Sequence, residues 1–160
     1  MIAWNLKKTP KGFTLIELMV TIAVLAIIVT IAMPSFTEMM ERQRLKNAVE
    51  TFYSDLLFAK SEALKQSTDV TVSNVGNCLV ATVNAGSETI AKACVANFPG
   101  VALASTGLPL IIDKTTGTSK LRTGATFTLT GSAHSAQITF ARLGGVSICS
   151  GDGLGGYPGC

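Results

Sequence analysis

The sequence predicts an α+β fold: a long N-terminal helix that crosses a membrane and continues as an amphipathic helix packed on an antiparallel β-sheet head. Three observations carry this. An apolar run is unbroken from Phe13 to Met33 except at Glu17, apolar residues then recur at spacings of three and four, and after Ser67 the chain turns to short Thr- and Val-rich segments between turn residues. A chain of 160 residues has room for one modest domain and a span, and 48% hydrophobic against 14% charged residues excludes a disordered chain.

The first element, Phe13 to Met33, is about 21 residues and about 32 Å as a helix, enough to cross a bilayer. A cleaved secretory signal is shorter and ends in small residues, whereas this run passes directly into a charged amphipathic stretch. Lys7, Lys8 and Lys11 stand in front of it and no Lys or Arg lies between Phe13 and Glu41, which orients the short stub to the cytoplasm and the rest outside. Glu17 breaks the pattern, and an unpaired acid costs about 2.5 kcal/mol or more near the bilayer centre. It is either hydrated near the headgroups or paired with a cation from another subunit, such as a free α-amine at Phe13. Pro34 closes the run and predicts a bend or local unwinding over Ala32 to Phe36.

From Met39 onward Leu45, Ala48, Val49, Phe52, Leu56, Ala59 and Ala63 form one stripe, with Arg42, Lys46, Glu50, Lys60 and Glu62 on other faces. The pattern predicts a helix to about Gln66 whose stripe is the seam for a sheet. Strands are predicted at Val70–Val75, Cys78–Asn84, Leu108–Ile112, Ala125–Thr130, Ala136–Ala141 and Val146–Cys149, forming an antiparallel sheet. Alternation places Phe127, Leu129, Ile138 and Phe140 against the helix.

Cys78, Cys94, Cys149 and Cys160 all follow the apolar run and none forms a CxxC pair, which favours disulfides in an oxidising compartment over zinc or thiol redox chemistry. Four cysteines allow three connectivities. Cys78 with Cys94 and Cys149 with Cys160 is favoured because each closes a short local loop.

The segment Lys11-Gly12-Phe13-Thr14-Leu15-Ile16-Glu17, followed by an apolar helix, closely resembles the class III signal of type IV prepilins and pseudopilins. The resemblance implies a type IV pilin fold, cleavage by prepilin peptidase between Gly12 and Phe13, methylation of the new N-terminal Phe13, and an assembly role for Glu17 toward a neighbour's amino terminus. The stretch Leu57 to Gln66, leading into a Thr/Val strand, resembles the helix end of FimT/GspH-type minor pilins and pseudopilins. Four regions follow from the combined reading: a leader at 1–12, a transmembrane and filament-core helix at 13–33, an amphipathic helix at 34–66 and a β-rich head at 67–160 with a disulfide-tied C-terminal loop. The expected partners are other pilin or pseudopilin subunits, prepilin peptidase and the inner membrane, with the head periplasmic before assembly into the filament.

Chemistry for catalysis is not evident, and neither a cofactor nor a metal is expected. His134 is the single histidine and reads as a turn residue, and the sequence holds no HExxH and no phosphate loop. The tail from Ser150 to Cys160 is glycine-rich but opens no helix, and Asp152 is its one carboxylate, so it reads as a flexible loop tied by Cys160 rather than a nucleotide or calcium loop.

The leading function is a minor pilin of a type IV pilus, with a minor pseudopilin of a type II secretion system as the alternative within the same class. A DNA-binding pilin for natural transformation is the alternative of another class. Its candidate contacts are Lys114, Lys120, Arg122 and Arg142, which from Asp113 to Cys160 face only Asp113 and Asp152. Set against it, removal of Lys7, Lys8 and Lys11 leaves ten cations against ten acids, and where the DNA-binding members of the family it resembles carry an arginine-rich C-terminal motif, this chain has Arg142-Leu143-Gly144-Gly145 and a neutral tail. A plain membrane-anchored domain is the remaining reading, and it leaves Glu17 and the Gly12-Phe13 junction unexplained.

Overall fold

The computed structural model describes residues 12–160 apart from 84, 85 and 122, with the backbone alone at 34. The leader lysines and Arg122 therefore lie outside the described residues. The chain divides after Glu38 into two compact units, and helix α1, Leu15–Gln66, contributes to both.

In the first unit α1 has no glycine and runs without a break through residue 34. A helix closes its own backbone hydrogen bonds, which an apolar run needs where water is absent. Two of its threonines bond to the helix backbone: Thr21 Oγ1 donates to the Leu18 carbonyl at 2.8 Å and Thr30 Oγ1 to the Ile27 carbonyl at 2.7 Å. No residue from Gly12 to Met33 is covered, so apolar side chains are exposed on every side of the helix.

In the second unit the helix changes character. Leu45, Ala48, Val49, Phe52, Leu56, Ala59 and Ala63 are fully buried, as their spacing predicts, whereas Phe58 and Leu64 on other faces are exposed. The helix ends at Gln66, where Ser67 takes a left-handed φ of 51° and the Thr68 N–H reaches the Ala63 carbonyl at 3.2 Å. This six-to-one bond turns the chain out of the helix and into the first strand.

Eight strands follow: β1 Val70–Val75, β2 Cys78–Val83, β3 Glu88–Cys94, β4 Ala102–Thr106, β5 Leu110–Ile112, β6 Ala125–Thr130, β7 Ser135–Phe140 and β8 Val146–Cys149. They make two four-stranded antiparallel sheets rather than the single sheet expected, ordered β3-β2-β1-β5 and β4-β6-β7-β8. The chain crosses to the second sheet for β4, returns for β5, then crosses again, a path that strand periodicity does not encode. Between β1 and β2, Gly76 and Asn77 both have positive φ, at 59° and 62°, the geometry of a tight primed hairpin turn.

Strands β3 and β4 escaped the sequence reading. Glu88 and Lys92 interrupt the apolar pattern of β3, and a register shift leaves Ile90 unmatched between the pairs Ala81–Ala91 and Thr82–Thr89. Strand β4 reads Ala-Leu-Ala-Ser-Thr, with few of the branched and aromatic residues that mark strands. Both sheets send their inward positions, including Val70, Val72 and Ile112 from one and Phe127, Leu129, Ile138 and Phe140 from the other, into one core with the helix stripe.

Phe52 lies at the centre of this core and Phe58 is 47% exposed. Urea unfolding of the full chain in detergent micelles is expected to show a loss of about 3–5 kcal/mol for Phe52→Ala and a change within about 0.5 kcal/mol for Phe58→Ala.

Candidate functional site

At the helix start, Gly12, Phe13 and Thr14 are outside the helix and Phe13 is 87% exposed. Thr14 Oγ1 accepts the Glu17 N–H at 3.3 Å, and the Thr14 carbonyl accepts the Leu18 N–H at 3.2 Å. Thr14 is thus the cap and Glu17 the third helical residue, the spacing of a capping box. The sequence reading passed over Thr14, although Thr-x-x-Glu before an apolar run was the signal for it. Glu17 also stands where the positive end of the helix dipole favours an acid. No Lys or Arg lies from Phe13 through Glu41, so neighbouring turns of the helix supply no cation to its carboxylate.

The candidate cations of the head are gathered by two loops that touch each other. One follows β5 and carries Lys114 and Lys120; the other joins β7 to β8 and carries Arg142, whose carbonyl accepts the Ser119 N–H at 3.1 Å. Helix α1 clamps the second loop, because Lys60 Nζ donates to the Gly144 carbonyl at 2.7 Å. Glycine is required at 144: its φ is 84°, and a Cβ there would stand 2.4 Å from the Gly117 carbonyl oxygen.

Lys120, however, is committed. Its ammonium donates to Asp69 at 2.5 Å and lies 3.8 Å from Asp113, a partnership that leaves little positive charge for a phosphate. The hydrogen bond from Lys120 draws the Asp69 carboxyl below its usual range, and Asp69 in turn holds the Lys120 ammonium above its own. Asp113 is more acidic still, because its Oδ1 accepts the hydroxyls and backbone N–H groups of Thr115 and Thr116. Asp69 and Lys120 are 51 residues apart, so sequence neighbourhood gave no warning of the pairing.

The two disulfides are Cys78–Cys94, across the paired strands β2 and β3, and Cys149–Cys160, which draws the tail back to the end of β8. The tail is more than a tethered loop. Leu154 is 2% exposed, Asp152 Oδ2 accepts the Ser135 N–H at 3.0 Å and its hydroxyl at 2.9 Å, and Ser150 and Gly159 form a parallel bridge. Tyr157 donates to Glu50 of α1 at 3.3 Å while Lys46 sits 5.9 Å from its ring centre. Burial, then the Glu50 charge and hydrogen bond, push the Tyr157 phenol up to about 12.

His134 lies in the β6–β7 turn, where its carbonyl accepts the Gly131 N–H at 2.8 Å and both ring nitrogens are buried without a partner among the described residues. Among the described residues no three His, Cys, Asp or Glu side chains converge to hold a metal.

Two family patterns match consecutive parts of the chain: the prokaryotic N-terminal methylation motif over residues 7–33 and the type II transport protein GspH over residues 48–152. The chain belongs to the GspH family. It is similar to the fimbrial protein EcpC of Eikenella corrodens, with 29% identity across 84% of this chain and 83% of that protein. Its fold is similar to that of the minor pseudopilin EpsH from the type 2 secretion system of Vibrio cholerae, with a TM-score of 0.53 and 17% identity, covering 67% of this chain and 97% of that one. This GspH-type chain is therefore a minor pilin or pseudopilin, a structural subunit class whose members associate with other pilin subunits. Its single N-terminal apolar helix fits membrane anchoring followed by incorporation into a filament.

Two titrations check the head's electrostatics. The phenolate absorbance of Tyr157 is expected to rise only near about 12, and Tyr157→Phe should remove that step. The lowered carboxyls of Asp69 and Asp113 contribute stability that is complete above the unfolded value near about 4 and is lost as pH falls through their lower folded values. Urea midpoints should therefore drop below about pH 4, and Asp113→Asn should flatten that drop.

Proposed function

We propose that this protein is a minor pilin of a type IV pilus, cut by prepilin peptidase between Gly12 and Phe13 and methylated at Phe13. Before assembly α1 anchors it in the inner membrane with the head in the periplasm; afterwards the same helix lies among the helices of neighbouring subunits. The observation that carries this reading is the helix start, where an exposed Gly12-Phe13 junction precedes a capped helix with an acid in its first turn and uncovered apolar sides. Glu17 then pairs with the α-amine of a neighbour's Phe13. In low dielectric that attraction is strong, and it compensates for taking the acid out of water. Pro34 provides the place at which the helix can bend between membrane and filament.

Similarity to a fimbrial protein across most of the chain supports the pilus. The family match over residues 48–152 favours a second reading, an H-type minor pseudopilin of a type II secretion system. The two share the processing step and diverge in the machine that extracts the subunit.

Intact-mass measurement of membrane-extracted protein, with and without prepilin peptidase, is expected to show loss of Met1 to Gly12 and gain of one methyl group. Glu17→Gln should be processed normally yet be absent from sheared filaments. An uncleaved amino terminus would sink the reading, and incorporation that requires secretion genes rather than pilus-assembly genes would favour the pseudopilin.

A further inference from the structure

Four strands form the lateral edges of the two sheets, and three of them are protected. Strand β3 carries the charges Glu88 and Lys92 and the unmatched Ile90. On β5, Ser119 bridges to Ile112 and the Lys120 N–H takes the Ile111 carbonyl at 2.9 Å. The end of β8 is covered by the Ser150–Gly159 bridge and the Cys149–Cys160 disulfide. These are the devices by which sheet edges avoid pairing with other chains.

Strand β4 has none of them. It contains no charge and no proline, its five residues pair with β6 in unbroken register, and among the described residues no backbone hydrogen bond outside that ladder reaches it. An antiparallel ladder leaves alternate N–H and C=O groups of an end strand pointing outward. At the Ala102–Thr130 end of this pair the surface dips into a recess of about 180 Å³, lined by Glu41, Arg44, Pro99–Val101, Gly131 and Ser132. The Glu41 carboxylate is engaged by the Ser132 hydroxyl. Arg44 has no hydrogen bond or ion pair among the described residues, so the recess presents an unspent guanidinium.

We propose that β4 is a strand-addition site: an extended segment of a partner subunit pairs along Ala102–Thr106 and seats an acidic side chain in the recess against Arg44. Backbone bonds supply the pairing, and the carboxylate fixes the register. An acid is placed on the Arg44 side of the recess because Arg44 lacks an acceptor among the described residues, whereas the Glu41 carboxylate, which keeps its charge, already accepts the Ser132 hydroxyl. That the partner is a filament subunit rests on the function proposed above; the chemistry of the edge does not.

The test uses the full chain in detergent micelles and synthetic hexapeptides of alternating Thr and Val that carry either Asp or Lys at the first or the last position. Amide hydrogen exchange across residues 102–106 is the readout, together with titrated affinity. One Asp peptide is expected to slow exchange along β4 by about tenfold or more and to bind about fivefold or more tighter than its Lys counterpart. Arg44→Gln should erase that preference while leaving the protection in place, and N-methylation of alternate peptide amides should abolish both. The proposal is overturned if no peptide protects β4, if Asp and Lys peptides protect it equally, or if protection grows with protein concentration alone, which would make a second copy the occupant. An uncleaved amino terminus in the mass experiment would remove the filament reading and leave these outcomes unchanged.

Discussion

The head depends on one stripe of α1. Leu45, Ala48, Val49, Phe52, Leu56, Ala59 and Ala63 are the surface on which both sheets close, and together with the inward positions of the strands they form one core. A four-stranded sheet with one apolar face must bury that face against something. Two sheets sharing one helix solve the problem twice with a single seam. The small residues Ala48, Ala59 and Ala63 occupy part of the stripe, and Phe52, Leu45 and Leu56 fill the wider spaces. Substitutions along this line act on the whole head, while those on the opposite faces act on whatever surrounds it.

The loops follow from that packing. Lys60 and Glu50 leave the same helix on flanks of the stripe, and each fixes a loop from a different part of the chain, Gly144 in one case and Tyr157 in the other. Charged residues that look like a solvated surface in sequence are therefore struts. Lys120 is another, held between Asp69 and Asp113. Exposed ion pairs of this kind contribute little stability individually, but they decide which cations remain free for a partner. Among the described residues Arg44 has no such partner, and the nearby acid, Glu41, is engaged by Ser132.

Much of the fold was legible because it is written in periodicity. The buried stripe from Leu45 to Ala63 and the alternation through Phe127, Leu129, Ile138 and Phe140 are local patterns, and their burial follows from geometry alone. The ends of β1, β6 and β8 agree with the sequence reading because Gly, Asn and Ser mark the turns between them. Strand β4 was invisible, since Leu103 is its one large apolar residue and alanine, serine and threonine fill the rest. The division into two sheets was equally hidden: β5 returns to β1 while β4 stays with β6, and such long-range choices leave no trace in neighbouring residues. Of the proposed functional residues, Gly12, Phe13 and Glu17 belong to one short motif of the sequence, whereas Thr14 needed a capping argument that the apolar run obscured. The tail reads as flexible because glycine dominates it, yet Leu154 and Tyr157 are enough to dock it.

The two parts of α1 also explain why this chain needs company. Between Gly12 and Met33 nothing among the described residues covers the apolar side chains, and the acid at Glu17 finds no cation in the turns that follow it. A lipid bilayer satisfies the apolar surface but not the acid. A bundle of like helices satisfies the apolar surface equally well, since packing among helices replaces contacts with lipid tails, and it can bring a neighbour's amino terminus to the carboxylate. On the function proposed here, the apolar run is indifferent between membrane and filament, and Glu17 tips the balance toward the filament. A single charge does this because its alternatives are unequal: solvation at the membrane edge on one side, a paired cation in low dielectric on the other.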